Sequence, residues 1–245
     1  LRTAAEEYDF NTYTRLLVDF CNEDLSAFFF DIRKDVLYCD GPTSTRRNAY
    51  RTVLDLLFHA LVRYAAPVLV FTAEEVWKSR YPEDDEQGGS VHLLEWPSVP
   101  TVPADREKWQ RIRQVRSIVN TVCEGLKREK TIRSFLEAEV ELVVFDDDFW
   151  RALDGVDLEE LFIVAKVNIE KRNYEFGDLD KLEADGTFMA MTGVGPNPGV
   201  VVVDARKTGN LKCGRCWRLL PDVSEDGALC GRCTTVVREW DAAAL

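Results

Sequence analysis

The stretch CGRCWRLLPDVSEDGALCGRC, residues 213–233, holds four of the seven cysteines in a 245-residue chain and no histidine. The spacing is C-x2-C, thirteen residues, then C-x2-C. Each C-x2-C turn presents two sulfurs to one point. Two such turns facing each other close a tetrahedron of four thiolates, the coordination that structural zinc takes. With Cys213, Cys216, Cys230 and Cys233 as ligands, no position is left for a water, so a single Zn2+ would hold a fold together rather than carry out chemistry. Two disulfides are the alternative, and a reducing compartment works against them. Cys21, Cys39 and Cys123 stand singly in helical patterns and read as small core residues.

The surroundings of these cysteines carry the next constraint. Arg215 and Trp217 flank Cys216, with Lys212, Arg218 and Arg232 close by. A rigid knuckle displaying an aromatic among cations suits unpaired bases, which stack on the ring while their phosphates pair with the charges. The other reading of Trp217 is a lid packed over the metal, because Trp is usually largely buried. The net charge of −12 excludes indiscriminate adhesion to nucleic acid or to an anionic membrane. Locally the balance reverses: nine basic residues stand against three acidic ones between Arg106 and Arg133, and five against none between Ala205 and Leu220. Arg113 and Arg116 in the first stretch are candidate RNA contacts, against the plainer reading of a solvated helix face.

Hydrophobic periodicity organises the rest. Apolar residues from Phe10 to Val36 recur in steps of three to five and predict one long helix, with the Phe28–Phe30 triple in the core. "GPT" at 41–43 breaks it, Thr43 or Ser44 caps a second helix that stops at Pro67, and Thr72 with Glu75 has the spacing of a capping box for a third. Residues 81–103, rich in Pro, Gly and acid, read as a connector. Trp109, Ile112, Val115, Val119, Val122 and Leu126 stripe another helix, and strands are expected at 139–145, 161–169 and 199–205, with a short acidic-capped helix at "DDDFWRAL". "GVGPNPGV" (193–200) lacks dinucleotide-loop spacing and reads as a turn. The expected fold class is mainly α with a smaller α+β part: a helical bundle (1–80), the connector (81–103), a small α/β junction domain (104–208) and a four-cysteine zinc-binding tail (209–245).

"DFCNEDLSAFFFDIRKDVLYC", "RRNAYRTVLDLLFHALVRYAAPVLVFTAEEVW" and "CGRCW…CGRC" together resemble the C-terminal region of bacterial isoleucyl-tRNA synthetases, over nearly the whole chain and in the same order of parts. The bundle motif is shared more loosely by the valine, leucine and methionine enzymes; "RCW" in the tail narrows the resemblance to isoleucine. It implies that bundle and tail grip the anticodon stem and loop of isoleucine tRNA, that the four tail cysteines hold one structural zinc, and that Arg215 and Trp217 approach the anticodon bases. Arg46 and Arg47 match the "RR" that opens the family's second bundle helix. Cations at a helix N-terminus oppose its dipole, which suits a phosphate contact, although a solvated face is the competing reading.

The family's ATP-handling motifs, "HIGH" and "KMSKS", and its editing domain have no counterpart here. His59 and His92 are the only histidines, and no nucleophile and base pair is evident. The chain alone is expected to have no catalytic site, with ATP used only in a catalytic domain outside it. The expected partner is isoleucine tRNA, not DNA and not a membrane. A start at Leu1 suggests a piece of a longer protein. No run of about 18 apolar residues and no basic-then-apolar leader occurs, so the expectation is a cytoplasmic monomer. The alternative function is a free-standing zinc-containing module that binds RNA or protein. A DNA-repair glycosylase, some of which carry a related finger, would need a nucleophilic N-terminal residue such as Pro that Leu1-Arg2 does not supply.

Overall fold

A computed structural model of the chain describes residues 1–82, 89–173, 188–192 and 199–243. It divides into two compact units, Leu1–Val102 and Pro103–Leu245. The architecture is mainly helical with a small mixed sheet and a cysteine cluster, as the sequence predicts.

The first unit is a helical bundle. After α1 (Arg2–Glu6), Tyr8 takes a left-handed φ of 58° and turns the chain into α2 (Phe10–Asp19). Asp9 caps α2 by accepting the Thr12 amide at 3.0 Å, satisfying one of the amides that have no partner in the first turn. The expected long helix continues to Cys39, but its middle, Phe20–Phe30, is wound as a π-helix before α3 (Asp31–Cys39). The five-residue step from Phe20 to Leu25 was the trace of this in the sequence. A wider turn lets Leu25, Phe28, Ile32 and Val36 keep to the buried side while Phe20 stays exposed.

Ser44 caps α4 (Thr45–Ala65), its hydroxyl accepting the Arg47 amide at 3.3 Å, and Pro67 follows the last turn. Ser44→Ala should therefore lower the unit's stability by about 1 kcal/mol, read as a shift in its denaturant midpoint. The expected Thr72–Glu75 capping box does not form. α5 starts earlier, at Val70 with Leu69 as an uncapped lead-in, because the Leu69 amide already bonds back to the Ala65 carbonyl at 2.7 Å and restarts the helix at once.

Residues 89–102 of the expected connector fall in this unit. Val91 is buried in a cluster with Val62, Ala66, Ala73 and the fully buried Trp77, with Tyr81 and Leu94 packed on it. Trp96 packs on a second cluster of Ala4, Tyr13 and Leu17. Glu74 fastens the return by accepting the Ser90 hydroxyl at 2.8 Å and the Val91 amide at 3.0 Å.

In the second unit α6 (Arg106–Arg128) is capped by Asp105 and buries Ile112, Val115, Ile118, Val119 and Cys123. It packs on strand β4 (Gly199–Lys207) of a four-stranded sheet in which β4 lies between β1 (Ala138–Val144) and β3 (Phe188–Thr192), with β2 (Lys166–Lys171) on the far side of β1. Strand β1 (Ala138–Val144) alternates strictly, with Ala138, Val140, Leu142 and Val144 buried. On its other face Glu139 and Glu141 meet Arg206 of β4 (Gly199–Lys207). β1 runs parallel to β2 (Lys166–Lys171) and antiparallel to β4, which pairs with β3 (Phe188–Thr192).

The crossover from β1 to β2 carries α7 (Asp147–Leu153) and α8 (Leu158–Phe162). The strand expected at 161–169 thus begins as the last two residues of α8 and becomes strand only from Lys166. Asp157 caps α8 and Glu159 and Glu160 fill its first turn, signals that outweigh a short apolar run; Ile163, at φ 59°, then ends it. Residues 193–198 of the expected glycine-rich turn lie outside the described residues.

Candidate functional site

The tail begins where the sheet ends. Thr208, the buried polar residue at this seam, donates its amide to the Glu137 carbonyl at 2.7 Å and its hydroxyl to the Glu139 carboxylate at 2.7 Å. The Thr208 hydroxyl bond, followed by Arg206, holds the Glu139 carboxyl below the usual carboxylate range. A two-stranded ribbon, β5 (Leu211–Lys212) with β6 (Leu219–Leu220), then carries the first C-x2-C turn, and α9 (Gly231–Ala243) opens on the second.

Each C-G-R-C turn is closed the same way. The Trp217 amide donates to the Cys213 carbonyl at 3.0 Å, and the Thr234 amide to the Cys230 carbonyl at 2.9 Å. The Cys213 amide donates to the Arg218 carbonyl at 2.9 Å, which joins the first turn to the ribbon. All four cysteines are buried and their Sγ atoms lie within 4.8 Å of one another. The Cys216 and Cys230 sulfurs are 3.9 Å apart, close to the edge of about 3.8 Å in a tetrahedron of 2.3 Å zinc–sulfur bonds and far from the roughly 2.05 Å of a disulfide. None of the seven cysteines is in a disulfide. The donor set therefore fits a tetrahedral zinc.

Burial opposes ionisation at Cys213, but amide hydrogen bonds from Cys230, Cys216 and Arg215 outweigh it and bring the thiol down to about 6. Burial pushes Cys216 up and Cys230 up to about 12. Around neutral pH a metal would find one thiolate ready and displace protons from others.

Trp217 is not a lid: it is 62% exposed. Its backbone sits at φ 65°, a left-handed conformation that costs a residue with a Cβ roughly 1–2 kcal/mol, and Lys212 Nζ lies 5.4 Å from the ring centroid. Turn and cation together fix an indole that faces outward. Arg218 is half-buried and gives its own amide to the Cys216 sulfur. Arg215 and Arg232 are placed differently from expectation. Arg215 Nη1 donates to Cys233 Sγ at 3.6 Å, and Arg232 hydrogen-bonds the Cys216 sulfur. Both side chains aim an N–H at a sulfur, a hydrogen bond that strengthens when the sulfur is a metal-bound thiolate.

The remaining basic candidates fall into two kinds. Arg47 Nε donates to the Leu37 carbonyl at 3.0 Å, satisfying an orphan acceptor in the last turn of α3, and Arg116 Nε donates to the Leu161 carbonyl of α8 at 3.0 Å. Both tie elements together. Arg46 lies exposed in the first turn of α4. Arg113 lines an open cleft of about 580 Å3 with Arg106, Trp109, Gln110, Gln114 and Ser117. The cleft was missed from sequence because Trp109 was assigned to the apolar stripe, yet it is 41% exposed. Polar residues recurring at three- and four-residue steps opposite that stripe were the available signal.

Residues 1–142 match the family described as anticodon-binding domain of tRNA ligase, and residues 210–236 match the zinc finger found in FPG and IleRS. The chain is similar to the isoleucine–tRNA ligase of Zymomonas mobilis, 49% identical over 98% of this chain and 23% of the relative. It is 42% identical to that of Ruegeria pomeroyi and 39% to that of Agrobacterium fabrum, each over 92% of this chain and 22% of the relative. It thus spans under a quarter of the length of these relatives. The resemblance read from the sequence is borne out, and the chain belongs to the family of tRNA-ligase anticodon-binding domains.

Proposed function

We propose that this chain recognises the anticodon stem-loop of isoleucine tRNA as the C-terminal part of an isoleucine–tRNA ligase. The observation that carries the reading is Trp217: an indole held outward by a left-handed backbone and a lysine, on a turn rooted in four cysteines. Large exposed aromatics cost solvation, and an unpaired base stacking on the ring recovers it. Lys212 and Arg218 beside it supply phosphate contacts. Arg113 and Arg106 in the α6 cleft, and Arg46 at the start of α4, supply further ones. One zinc on Cys213, Cys216, Cys230 and Cys233 would fix the turn that presents Trp217; its chemistry there is structural.

In this reading the bundle (1–80), junction (104–208) and tail (209–245) act as one monomeric, cytoplasmic recognition region. Activation of isoleucine with ATP takes place in parts of the ligase outside this chain. Among the described residues no helix is long and apolar enough to cross a membrane.

The test is fluorescence anisotropy of a labelled isoleucine anticodon stem-loop against a loop with swapped anticodon bases, at low and moderate salt. The cognate loop should bind more tightly, and affinity should fall with salt by nearly one log–log unit per duplex phosphate neutralised. Trp217→Ala should weaken cognate binding by roughly 1–3 kcal/mol. Equal binding to both loops would replace anticodon reading by generic RNA binding. An unchanged affinity in the zinc-loaded Trp217→Ala protein would remove the stacking role.

A further inference from the structure

The tetrapeptide CGRC occurs twice, at 213–216 and at 230–233, and the two copies close with equivalent hydrogen bonds. In both, the arginine precedes the second cysteine. Arg215 crosses to the sulfur of Cys233 and Arg232 to the sulfur of Cys216. Each arginine therefore reaches the last cysteine of the opposite copy, and the two contacts form a reciprocal clasp across the site.

Four thiolates around a divalent cation leave a net charge of −2, and the four cysteines are buried. Uncompensated charge in such a place is costly. A guanidinium never deprotonates and offers five N–H donors in a planar fork, so two of them bring the centre to neutrality and hydrogen-bond its sulfurs together. Hydrogen bonds to ligating atoms from outside the coordination sphere orient the ligands and set how tightly the metal is held.

We propose that Arg215 and Arg232 are positioning residues of the metal centre: they neutralise the tetrathiolate and lock the two knuckles face to face, rather than reading RNA. The proposal rests on the zinc reading above. It divides the basic tail in two, with the CGRC arginines serving the metal and Lys212, Trp217 and Arg218 serving the RNA. It also explains why the same arginine recurs in the second copy, which has Thr234 where the first has Trp217.

The experiment titrates the whole chain and its Arg215→Gln, Arg232→Gln and Arg215→Lys variants with cobalt(II), followed by zinc competition against a chromophoric chelator. RNA affinity is then measured on zinc-saturated protein. Each glutamine variant should lose about tenfold or more in zinc affinity and shift the sulfur-to-cobalt charge-transfer band. Arg215→Lys, which keeps the charge without the fork, should fall between. Zinc-saturated variants should bind the stem-loop within twofold of the parent. An unmoved band with unchanged zinc affinity in both glutamine variants would overturn the proposal. So would RNA binding that drops as in Trp217→Ala while zinc affinity holds. A parent protein whose cobalt spectrum lacks a tetrathiolate signature would instead sink the zinc reading, and that is seen before any variant is made.

Discussion

Stripping the metal should unfold the tail and leave the sheet standing. Zinc bound to a four-ligand finger contributes roughly 10–16 kcal/mol of apparent folding free energy at neutral pH. Apart from the cysteines, the buried apolar residues among the described residues of the tail are few, Val223 and Val236, and a whole domain is stable by only about 5–15 kcal/mol. Burial alone cannot replace the ion there. By contrast β1 is buried at every second residue and paired on both sides, so it does not depend on the tail.

In an amide spectrum, adding a strong chelator should collapse the resonances of residues 211–243 to random-coil positions while those of 138–144 keep their dispersion. The boundary should fall near Thr208, where side chain and amide are tied to Glu139 and Glu137. Restoring zinc should restore the spectrum. A dispersed tail in protein shown by metal analysis to be zinc-free would mean that packing alone holds the fold.

Gly214→Ala should weaken the metal site strongly, and Gly231→Ala should not. The two glycines occupy the same place in the two CGRC copies, yet their surroundings differ. A Cβ on Gly214 would collide with the backbone carbonyl of Gly227. That carbonyl cannot swing away, because the Gly227 amide is bonded to the Lys212 carbonyl at 2.9 Å and the Gly214 amide to the Ala228 carbonyl at 3.1 Å. Gly227 itself sits at φ 88°, in the left-handed region where glycine is favoured. A Cβ on Gly231 meets only the Asp222 carboxylate, at 3.3 Å, and a side-chain end can give.

Overpacking usually costs about 1–3 kcal/mol and more where the neighbour is rigid. Gly214→Ala should therefore fall at or above the upper end, a loss of roughly a hundredfold in zinc affinity, and Gly231→Ala under about 1 kcal/mol. Chelator competition on both variants measures this. Equal losses would show that the glycines are kept for turn flexibility and not for the close approach at Gly227.

Much of this architecture could be read before any coordinates. The stripe from Ile112 to Val119 is buried as its period required, Ser44 caps α4, and Asp146 caps α7 through the Asp148 and Phe149 amides. The errors have local causes. A capping box was expected at Thr72 because its spacing is common, but the chain re-entered a helix three residues after Pro67 and used no side-chain cap. The run 161–169 reads as one strand because a short apolar stretch has no period, whereas the acidic residues before it cap and start α8. Residues 81–103 looked like a linker by composition, yet Val91 and Trp96 complete two clusters of the first unit.

The sequence by itself determined the four-cysteine cluster and the helices. Sulfur spacing and apolar period are properties of the local chain, and a C-x2-C turn or an amphipathic helix needs few distant partners to be recognised. Tertiary structure decided where the charges point. Arg47 and Arg116 end on the Leu37 and Leu161 carbonyls, Arg215 and Arg232 on sulfurs, and Arg113 in an open cleft. In the sequence all five are arginines in basic surroundings. A long flexible cation goes to whichever negative group the fold leaves unsatisfied within its reach, and only the folded chain fixes where those groups are.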